Sequence, residues 1–313
     1  MRAAVSPTRI ALIGIGKIAR DQHVPTLAAS LDFELVAGVT QHTPPERVPG
    51  FATIGEMMAA MPEVQAVSIC TPPRGRLAIV AEALAHGLDV MIEKPPAATL
   101  CEAESFTELA REAGRVFYAT WHSREAAAVE PARAWLKGRT IHRVAVNWKE
   151  DVRVWHPGQE WIWEPGIGVF DPGINALSVI THILPRAFML ERAELRFPAN
   201  RAAPIAADLA FVDTSGVPID VDFDFDQRGP QTWDIEVETD QGHLKLSMGA
   251  SRMAIDGVAV EVGEEPEYTR LYRHFARLLA NRQSDADLTP FRLVADAFLL
   301  GRRTEVQPFD WNG

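Results

Sequence analysis

The sequence predicts an α/β protein: a doubly wound parallel domain first, then an α+β domain with a large open, mostly antiparallel sheet. Three observations carry this expectation. Short continuous apolar runs alternate with helical patterns over about the first 120 residues, the texture changes after residue 122, and a strict two-residue alternation follows later.

The runs "RIALIG" (9–14), "ELVAGVT" (34–40), "AVSICT" (66–71), "DVMIEK" (89–94) and "VFYATW" (116–121) read as strands covered on both faces, being short and rich in Val, Ile and aromatic residues. Between them "RGRLAIVAEALAHG" (74–87) reads as a helix with a Gly stop. "TLCEAESFTELAREAG" (99–114) adds a capping box, with Thr99 at its start and Glu102 three residues on. Beyond 122 come a helix over 125–138, a strand "RVAVNWKED", a loop crowded with Trp, Pro and Gly, and the helix "DPGINALSVITHIL" (171–184). Residues 187–262 read as successive antiparallel strands. "VPIDVDFDFD" puts Val217, Ile219, Val221, Phe223 and Phe225 on one side and four Asp on the other, and "TWDIEVETD" repeats the pattern. The acidic run is a wet sheet face, not a metal site. Helices over 268–281 and 290–303 close the chain. The expected division is 1–122 and 123–313, the last helix being a candidate to pack back on the first domain.

The bulk numbers narrow the class. The chain has 313 residues, 47% hydrophobic and 23% charged, with no run long enough to span a membrane. A net charge of −11 argues against nucleic-acid and anionic-membrane partners. The opening "MRAAVSPT" has no apolar signal core, and Cys70 and Cys101 form no disulfide framework or metal spacing, so a cytoplasmic address is expected.

"ALIGIGKIARDQH" is a strand followed by G-x-G-x-x-A, with Gly14, Gly16 and Ala19 in the motif positions. The first Gly permits a tight turn, the second lets backbone approach a pyrophosphate, and the small third residue keeps helix and strand close. A merely tight strand–helix turn would produce the same pattern; its place on the first strand of five alternating units favours a dinucleotide-binding Rossmann domain. Lys17 and Ile18 would line the cradle at the helix start. Glu34 has about the right count for a ribose-binding acid, but it begins its strand. The strand ends in Thr40, Gln41 and His42, with Arg47 nearby, and nothing there repels a 2′-phosphate. NADP is therefore preferred, with NAD allowed.

"IEKPPAATL" holds Lys94 between Glu93 and two prolines at a strand's carboxyl end, where such sheets bind ligands. "SICTPP", with Thr71 and Pro72, ends the preceding strand similarly and would crowd the nicotinamide half of a cofactor. On the second-domain helix, Asp171 reads as an N-cap with Pro172 behind it, and Asn175 stacks one turn on. Capping and polar-ligand binding both explain Asp171, and one carboxylate can do both. Asn175 could bond locally, and His182 on the same stripe reads as an ordinary interfacial histidine. Trp155, Trp161 and Trp163 suit either core packing or the apolar face of a sugar ring.

The G-x-G-x-x-A start, the C-T-P-P turn, E-K-P and the following α+β domain together resemble the glucose–fructose oxidoreductase / inositol dehydrogenase (Gfo/Idh/MocA) family over essentially the whole chain. "GIGKIARDQH", "ATWHSR", "WKEDVRVWHPGQEWIWEPG" and "GVFDPGINALS" are similar to its bacterial L-arabinose / D-galactose 1-dehydrogenases. The resemblance implies hydride transfer between a sugar carbon and nicotinamide, giving an aldonolactone. It implies that Lys94 reaches cofactor and substrate. Many members carry Asp and His four apart on the second domain's opening helix; here the places hold Asp171 and Asn175, so the common His is absent. By analogy Asp171 is the acid/base and Asn175 its hydrogen-bonding partner, while Lys94, His122, Glu150 and His156 take sugar hydroxyls and Trp155 and Trp233 form walls. No metal is required, and a homodimer or homotetramer joined through the outer face of the large sheet is implied. Two other readings stay open: a relative acting on an inositol, another aldose or an amino sugar, and a non-catalytic dinucleotide sensor on this scaffold.

Overall fold

Six short strands, β1 (Thr8–Ile13), β2 (Phe33–Val39), β3 (Gly50–Phe51), β4 (Ala66–Ile69), β5 (Asp89–Ile92) and β6 (Phe117–Ala119), build the first sheet of the computed structural model, which describes residues 6–312. The order is β3-β2-β1-β4-β5-β6 and every pair is parallel. Direction of travel reverses between β1 and β4, so the loop after β1 opens at the switch point where such sheets bind ligands. The five expected strands are present, shorter at their carboxyl ends because Thr71, Glu93 and Thr120 lie beyond the paired residues. The two-residue β3 carries no apolar run and was not anticipated.

The helix after the glycine loop widens into a π-turn over Ala19–His23, immediately before the helical stretch Val24–Ala28. Pro25 lies just beyond and has no N–H to give an α ladder. At Leu100–Glu112 the expected cap forms: Thr99 Oγ1 accepts from Glu102 N at 3.3 Å, and Glu102 Oε2 reaches back to Ala98 N at 3.2 Å.

The chain divides into two units, and the division is not a single cut at 122. Tyr268–Leu288 belongs with the residues up to His122, while Thr289 onward belongs with the second unit. The helix that joins the first unit is therefore the penultimate one, Glu267–Asn281, and not the last. Its stripe of Tyr268, Leu271, Tyr272, Phe275 and Leu278 enters a core with Ile10, Leu12, Phe33 and Tyr118. Phe33 and Phe275 stack there with ring centres 5.6 Å apart.

The second unit is built on nine strands: β7 (Ile141–Lys149), β8 (Phe188–Pro198), β9 (Ala206–Asp213), β10 (Pro218–Asp224), β11 (Thr232–Thr239), β12 (Gly242–Ser247), β13 (Arg252–Ile255), β14 (Val258–Val260) and β15 (Arg302–Val306). They run in the order β14-β13-β12-β11-β7-β10-β9-β8-β15. The sheet is antiparallel except where β10 meets β7 and β15 meets β8. The expected last helix, 290–303, ends at Leu300. Gly301 turns the chain, a Cβ there falling 2.3 Å from Ala297 O, and Arg302–Val306 becomes the sheet's edge. The expected helix over 125–138 is Val129–Leu136, after a single turn over His122–Glu125.

On β10, Ile219, Val221 and Phe223 are buried while the intervening aspartates face out. Those aspartates meet cations of β7: Asp220 pairs with Arg143 at 3.0 Å, and Asp222 with Lys149. Helix Phe170–Ile183 covers the apolar face. It packs tightly at Gly173, where a Cβ would fall 2.5 Å from Phe223 Cε2. No helix among the described residues is long and apolar enough to cross a membrane.

That close approach predicts that Gly173→Ala costs about 1–3 kcal/mol, since a rigid ring must move to admit one methyl group. Denaturant unfolding would show a lower midpoint with an unchanged slope.

Candidate functional site

Gly14 follows β1 at φ 85°, a conformation that glycine adopts without strain. A Cβ there would lie 2.8 Å from Thr71 Cγ2 and 2.9 Å from Thr71 N, so the glycine is what lets the C-T-P-P turn close against the first loop. Gly16 is the opposite case, exposed and with nothing within 4 Å of a would-be Cβ. Lys17 and Ile18 open the helix with exposed side chains, Lys17 pairing with Asp21. Thr71 Oγ1 is buried with no hydrogen-bond partner among the described residues, and Pro72 beside it is exposed. The open backbone at Gly16 and the orphaned hydroxyl of Thr71 fit a dinucleotide phosphate. Past β2, Thr40 Oγ1 accepts from His42 N at 3.0 Å, and Gln41 and His42 are exposed. Arg20, which sequence reading passed over, donates to Thr43 O at 2.7 Å and so brings a guanidinium to the same loop.

The E-K-P turn rests on buried charge. Glu93 is buried, and its Oε1 accepts from Tyr268 OH at 2.8 Å and lies 3.0 Å from His23 Nε2. Its Oε2 accepts from Lys94 N at 3.0 Å. His23 Nδ1 in turn meets Tyr272 OH at 2.7 Å and Ser68 Oγ at 3.3 Å. Burial alone would raise the Glu93 pKa; hydrogen bonding to His23, the charges of His23 and His122, and the Tyr268 bond outweigh it and pull the carboxyl down to about 2. Burial likewise opposes a charge on His23, but Cys70, Tyr272 and Glu93 overcome it and hold the imidazole well above its ordinary value. The pair is thus ionised at neutral pH. Lys94 is half-buried, and the His122 ring stacks on Tyr268 with centres 5.7 Å apart.

Arg76 is the second residue that sequence reading missed. Its guanidinium is buried and donates from Nη1 to Glu93 O and Pro95 O, both at 2.5 Å, and to Pro96 O at 3.2 Å. From Nε it donates to Thr71 O at 3.1 Å, so it ties the C-T-P-P turn to the E-K-P-P turn. Burial lowers its pKa to about 10, against the pull of Glu93, and it stays charged.

In the second unit the helix begins earlier than its sequence suggests. Phe170–Ile183 is capped at Val169 without a side-chain bond, so Asp171 is not the N-cap but a first-turn residue. The reason is Gly168, which turns at φ 63° where a Cβ would fall 2.3 Å from Pro204 O; Val169 is then already helical. Asp171 is buried at the positive end of the helix, and its Oδ2 lies 3.3 Å from His156 Nε2. Asn175 is half-buried one turn on. Its carbonyl accepts from Ser178 OH at 2.6 Å, and its amide makes no hydrogen bond among the described residues. His182 lies 2.6 Å from Glu130, an ordinary surface pair.

The loop after β7 supplies the remaining groups. Glu150 is buried and accepts from Trp233 Nε1 at 2.9 Å. Trp155, 43% exposed, meets Trp233 edge-on with centres 5.4 Å apart. Asp151 caps the short helix Val152–Trp155 through Arg153 N at 2.9 Å. Trp163 is a packing residue, buried against Phe309 with centres 4.6 Å apart, whereas Trp161 stands edge-on to His156.

Residues 8–120 match the oxidoreductase family with an NAD-binding Rossmann fold, Gfo/Idh/MocA. The whole chain is similar to a galactose 1-dehydrogenase of Pseudomonas fluorescens, 45% identical over 97% of this chain and 99% of that protein. The chain belongs to the Gfo/Idh/MocA oxidoreductase family. The crystal structure of a D-galactose-1-dehydrogenase protein from Rhizobium etli matches at a TM-score of 0.95 and 48% identity, covering 99% of this chain and 100% of that one. A 3-ketoreductase from Actinomadura kijaniata shares the fold at a TM-score of 0.84 and 17% identity, over 96% of this chain and 99% of that one. Within the family fold, the first unit thus offers a dinucleotide cradle and a clamped lysine turn, and the second a carboxylate–imidazole pair beside aromatic walls.

Two outcomes follow from the first unit. Arg76→Met should cost about 3 kcal/mol or more, because it strands buried carbonyls worth ~1–3 kcal/mol each, and Arg76→Lys should recover only part, lacking the planar fork. Thermal melts with and without dinucleotide would read both. For Glu93, a folded pKa of about 2 against an ordinary 4.5 means stability fully present above about pH 4.5 and lost as pH falls toward 2. His23, raised when folded, contributes below its ordinary value of 6.5 and loses that contribution as pH rises through its folded one. The pair's full effect therefore lies between about pH 4.5 and 6.5. Glu93→Gln should lose about 3 kcal/mol in that window, at ~1.4 kcal/mol per tenfold change in proton affinity, and the deficit should shrink toward pH 2.

Proposed function

We propose that this protein is an NAD(P)-dependent aldose 1-dehydrogenase that oxidises D-galactose and/or L-arabinose at C1 to the aldonolactone. The observation that carries the reading is the 45% identity to a galactose 1-dehydrogenase along nearly the full length of both chains. D-galactose and L-arabinose share ring configuration and differ by a hydroxymethyl group, which a pocket rejects only modestly unless it blocks that space.

Removing two hydrogens from a cyclic sugar needs a base on the O1 proton while the C1 hydride departs. Asp171, a buried carboxylate at a helix mouth, is the base in this reading, and Asn175, one turn on, is a hydrogen-bond partner for the substrate. The Lys94 ammonium stabilises the alkoxide as charge develops on O1. His122, Glu150 and His156 take ring hydroxyls, with Trp155 and Trp233 against the apolar ring face. Bound nicotinamide dinucleotide supplies the hydride acceptor. Gly14, Gly16, Lys17, Ile18, Thr71 and Pro72 hold it, with Glu93 beneath Lys94. Thr40, Gln41 and His42, now joined by Arg20, favour a 2′-phosphate and hence NADP, with NAD also used. A cytoplasmic homodimer or homotetramer, joined through the outer face of the large sheet, completes the reading.

The test is direct. Purified protein is given D-galactose, L-arabinose, D-glucose or myo-inositol with NADP or NAD, and reduced nicotinamide is followed by absorbance. The first two sugars should react fastest, and failure with all aldoses would sink the assignment. Asp171→Asn should lower kcat by about 10²–10⁴-fold with little change in melting temperature. A variant that melts early but turns over normally would return Asp171 to a structural role.

A further inference from the structure

The groups around the imidazole against Asp171 call for a hydrogen on its Nδ1. His156 Nε2 lies 3.3 Å from Asp171 Oδ2, with side chains 19% and 5% exposed. Its other ring nitrogen, Nδ1, lies 3.4 Å from Gln159 Oε1. Which end of the Gln159 amide faces that way is settled by Trp161, whose indole N–H can only donate and points at the same Oε1 from 3.0 Å. An amide nitrogen there would set donor against donor. Oε1 therefore accepts twice, and Nδ1 must carry a hydrogen. In the neutral ring the Nε2 lone pair then faces the carboxylate, and one shared proton satisfies both atoms.

We propose that His156, instead of taking a ring hydroxyl, acts with Asp171 as a single proton-relay pair, with Gln159 and Trp161 as positioning residues that orient the imidazole. The proposal rests on the reading of Asp171 as the base in sugar oxidation. As the C1–H pair leaves for the nicotinamide, the O1–H pair becomes the second C1–O bond. The O1 proton goes to Asp171, then from Oδ2 to His156 Nε2, and from the partly exposed ring to water as product leaves. A relay is useful because the helix end favours the ionised carboxylate and so weakens it as a base. An imidazole beside the carboxylate can take that proton and pass it on. Asn175, on the next turn of the helix, cannot titrate, so the ring reaches Asp171 from the loop.

Aromatic rings flank the imidazole. Phe225 and Trp161 pack edge-on to the ring, with centres 5.8 and 5.7 Å away. The neighbouring loop charges are engaged elsewhere: Arg153 with Asp151 and Asp226 at 3.4 and 2.6 Å, and Glu160 with Arg201 and Trp311 at 2.9 and 2.6 Å. Among the described residues, Asp171 is the one ionisable group in polar contact with His156.

The experiment compares kcat/KM against pH for the wild type, His156→Asn and Gln159→Glu. The wild type should lose activity below pH about 6–7, the imidazole range. His156→Asn should lower kcat about 10²-fold, move that limb down by about one pH unit or more toward the carboxylate range, and regain part of the rate when imidazole is added. Gln159→Glu, a stronger acceptor for Nδ1–H, should move the limb up with little change in KM. An unmoved limb in His156→Asn, with no rescue and a wild-type melting temperature, would overturn the proposal and leave His156 as a hydroxyl contact. A second measurement is independent of turnover: ¹⁵N NMR of the wild type, with His156 assigned by difference from His156→Asn. It should show the Nδ1–H tautomer above pH 8. An Nε2–H tautomer would refute the relay even if sugars are oxidised, whereas an inactive wild type with the expected tautomer would sink the assigned reaction instead.

Discussion

At the ends of β4 and β5 the chain turns four carbonyls inward, those of Thr71, Glu93, Pro95 and Pro96, and the Arg76 guanidinium is what reaches them all. A buried guanidinium normally takes a carboxylate, and here it serves backbone instead. The consequence is geometric. Two prolines remove N–H groups that might have paired within the turn, and a planar five-donor fork supplies the missing bonds from one side. Because Gly14 lies against Thr71, the glycine loop, the C-T-P-P turn and the lysine turn are fixed to one another through one cation.

With Arg76 committed to carbonyls, the Glu93 carboxylate needs another counter-charge, and His23 provides it from the π-turn that interrupts the first helix. The widened turn places an imidazole where a regular helix would present a different face. Tyr268 and Tyr272 close the network from the penultimate helix, which explains why that helix belongs with the first unit. One carboxylate oxygen thus serves the imidazole and a phenol while the other holds the backbone N–H of Lys94. Lys94 acquires a fixed origin for its side chain from a group whose charge burial alone would have removed.

The legible part of this protein is the part written in local periodicity. Continuous apolar runs marked β1, β4 and β5, alternation marked β10 and β11, and G-x-G-x-x-A with E-K-P marked the cradle and the lysine turn. What could not be read were pairings remote in sequence or made to backbone. His23 meets Tyr272 across 249 positions, and Arg76 binds carbonyls, which every residue has. Arg302 and Arg303 of the edge strand "RRTEV" read as the tail of a helix because the strand's pattern is polar and its partner, β8, is an element far upstream. Asp171 was misread as a cap because Asp-Pro is a strong start signal; Gly168 and the Pro204 carbonyl, both outside that motif, begin the helix two residues sooner.

The loop carrying His156 shows how a segment can hold one histidine in one orientation. Val152, Ile162 and Trp163 bury its apolar side, and bonds at its ends set the rest of its shape. Asp151 caps its first turn, and Arg153 reaches Asp226 and the Asp310 carbonyl while lying 4.3 Å over the Phe309 ring. Glu160 is clasped by Arg201 and the Trp311 indole, and Trp163 is buried against Phe309. The chain's last aromatic residues therefore clamp both ends of a short span in which Gln159, itself turned by Trp161, faces the imidazole. Each bond fixes a direction as well as a position, and direction is what a proton acceptor requires. A loop packed by apolar contact alone would leave the ring free to rotate, and the lone pair that faces Asp171 would point there only part of the time.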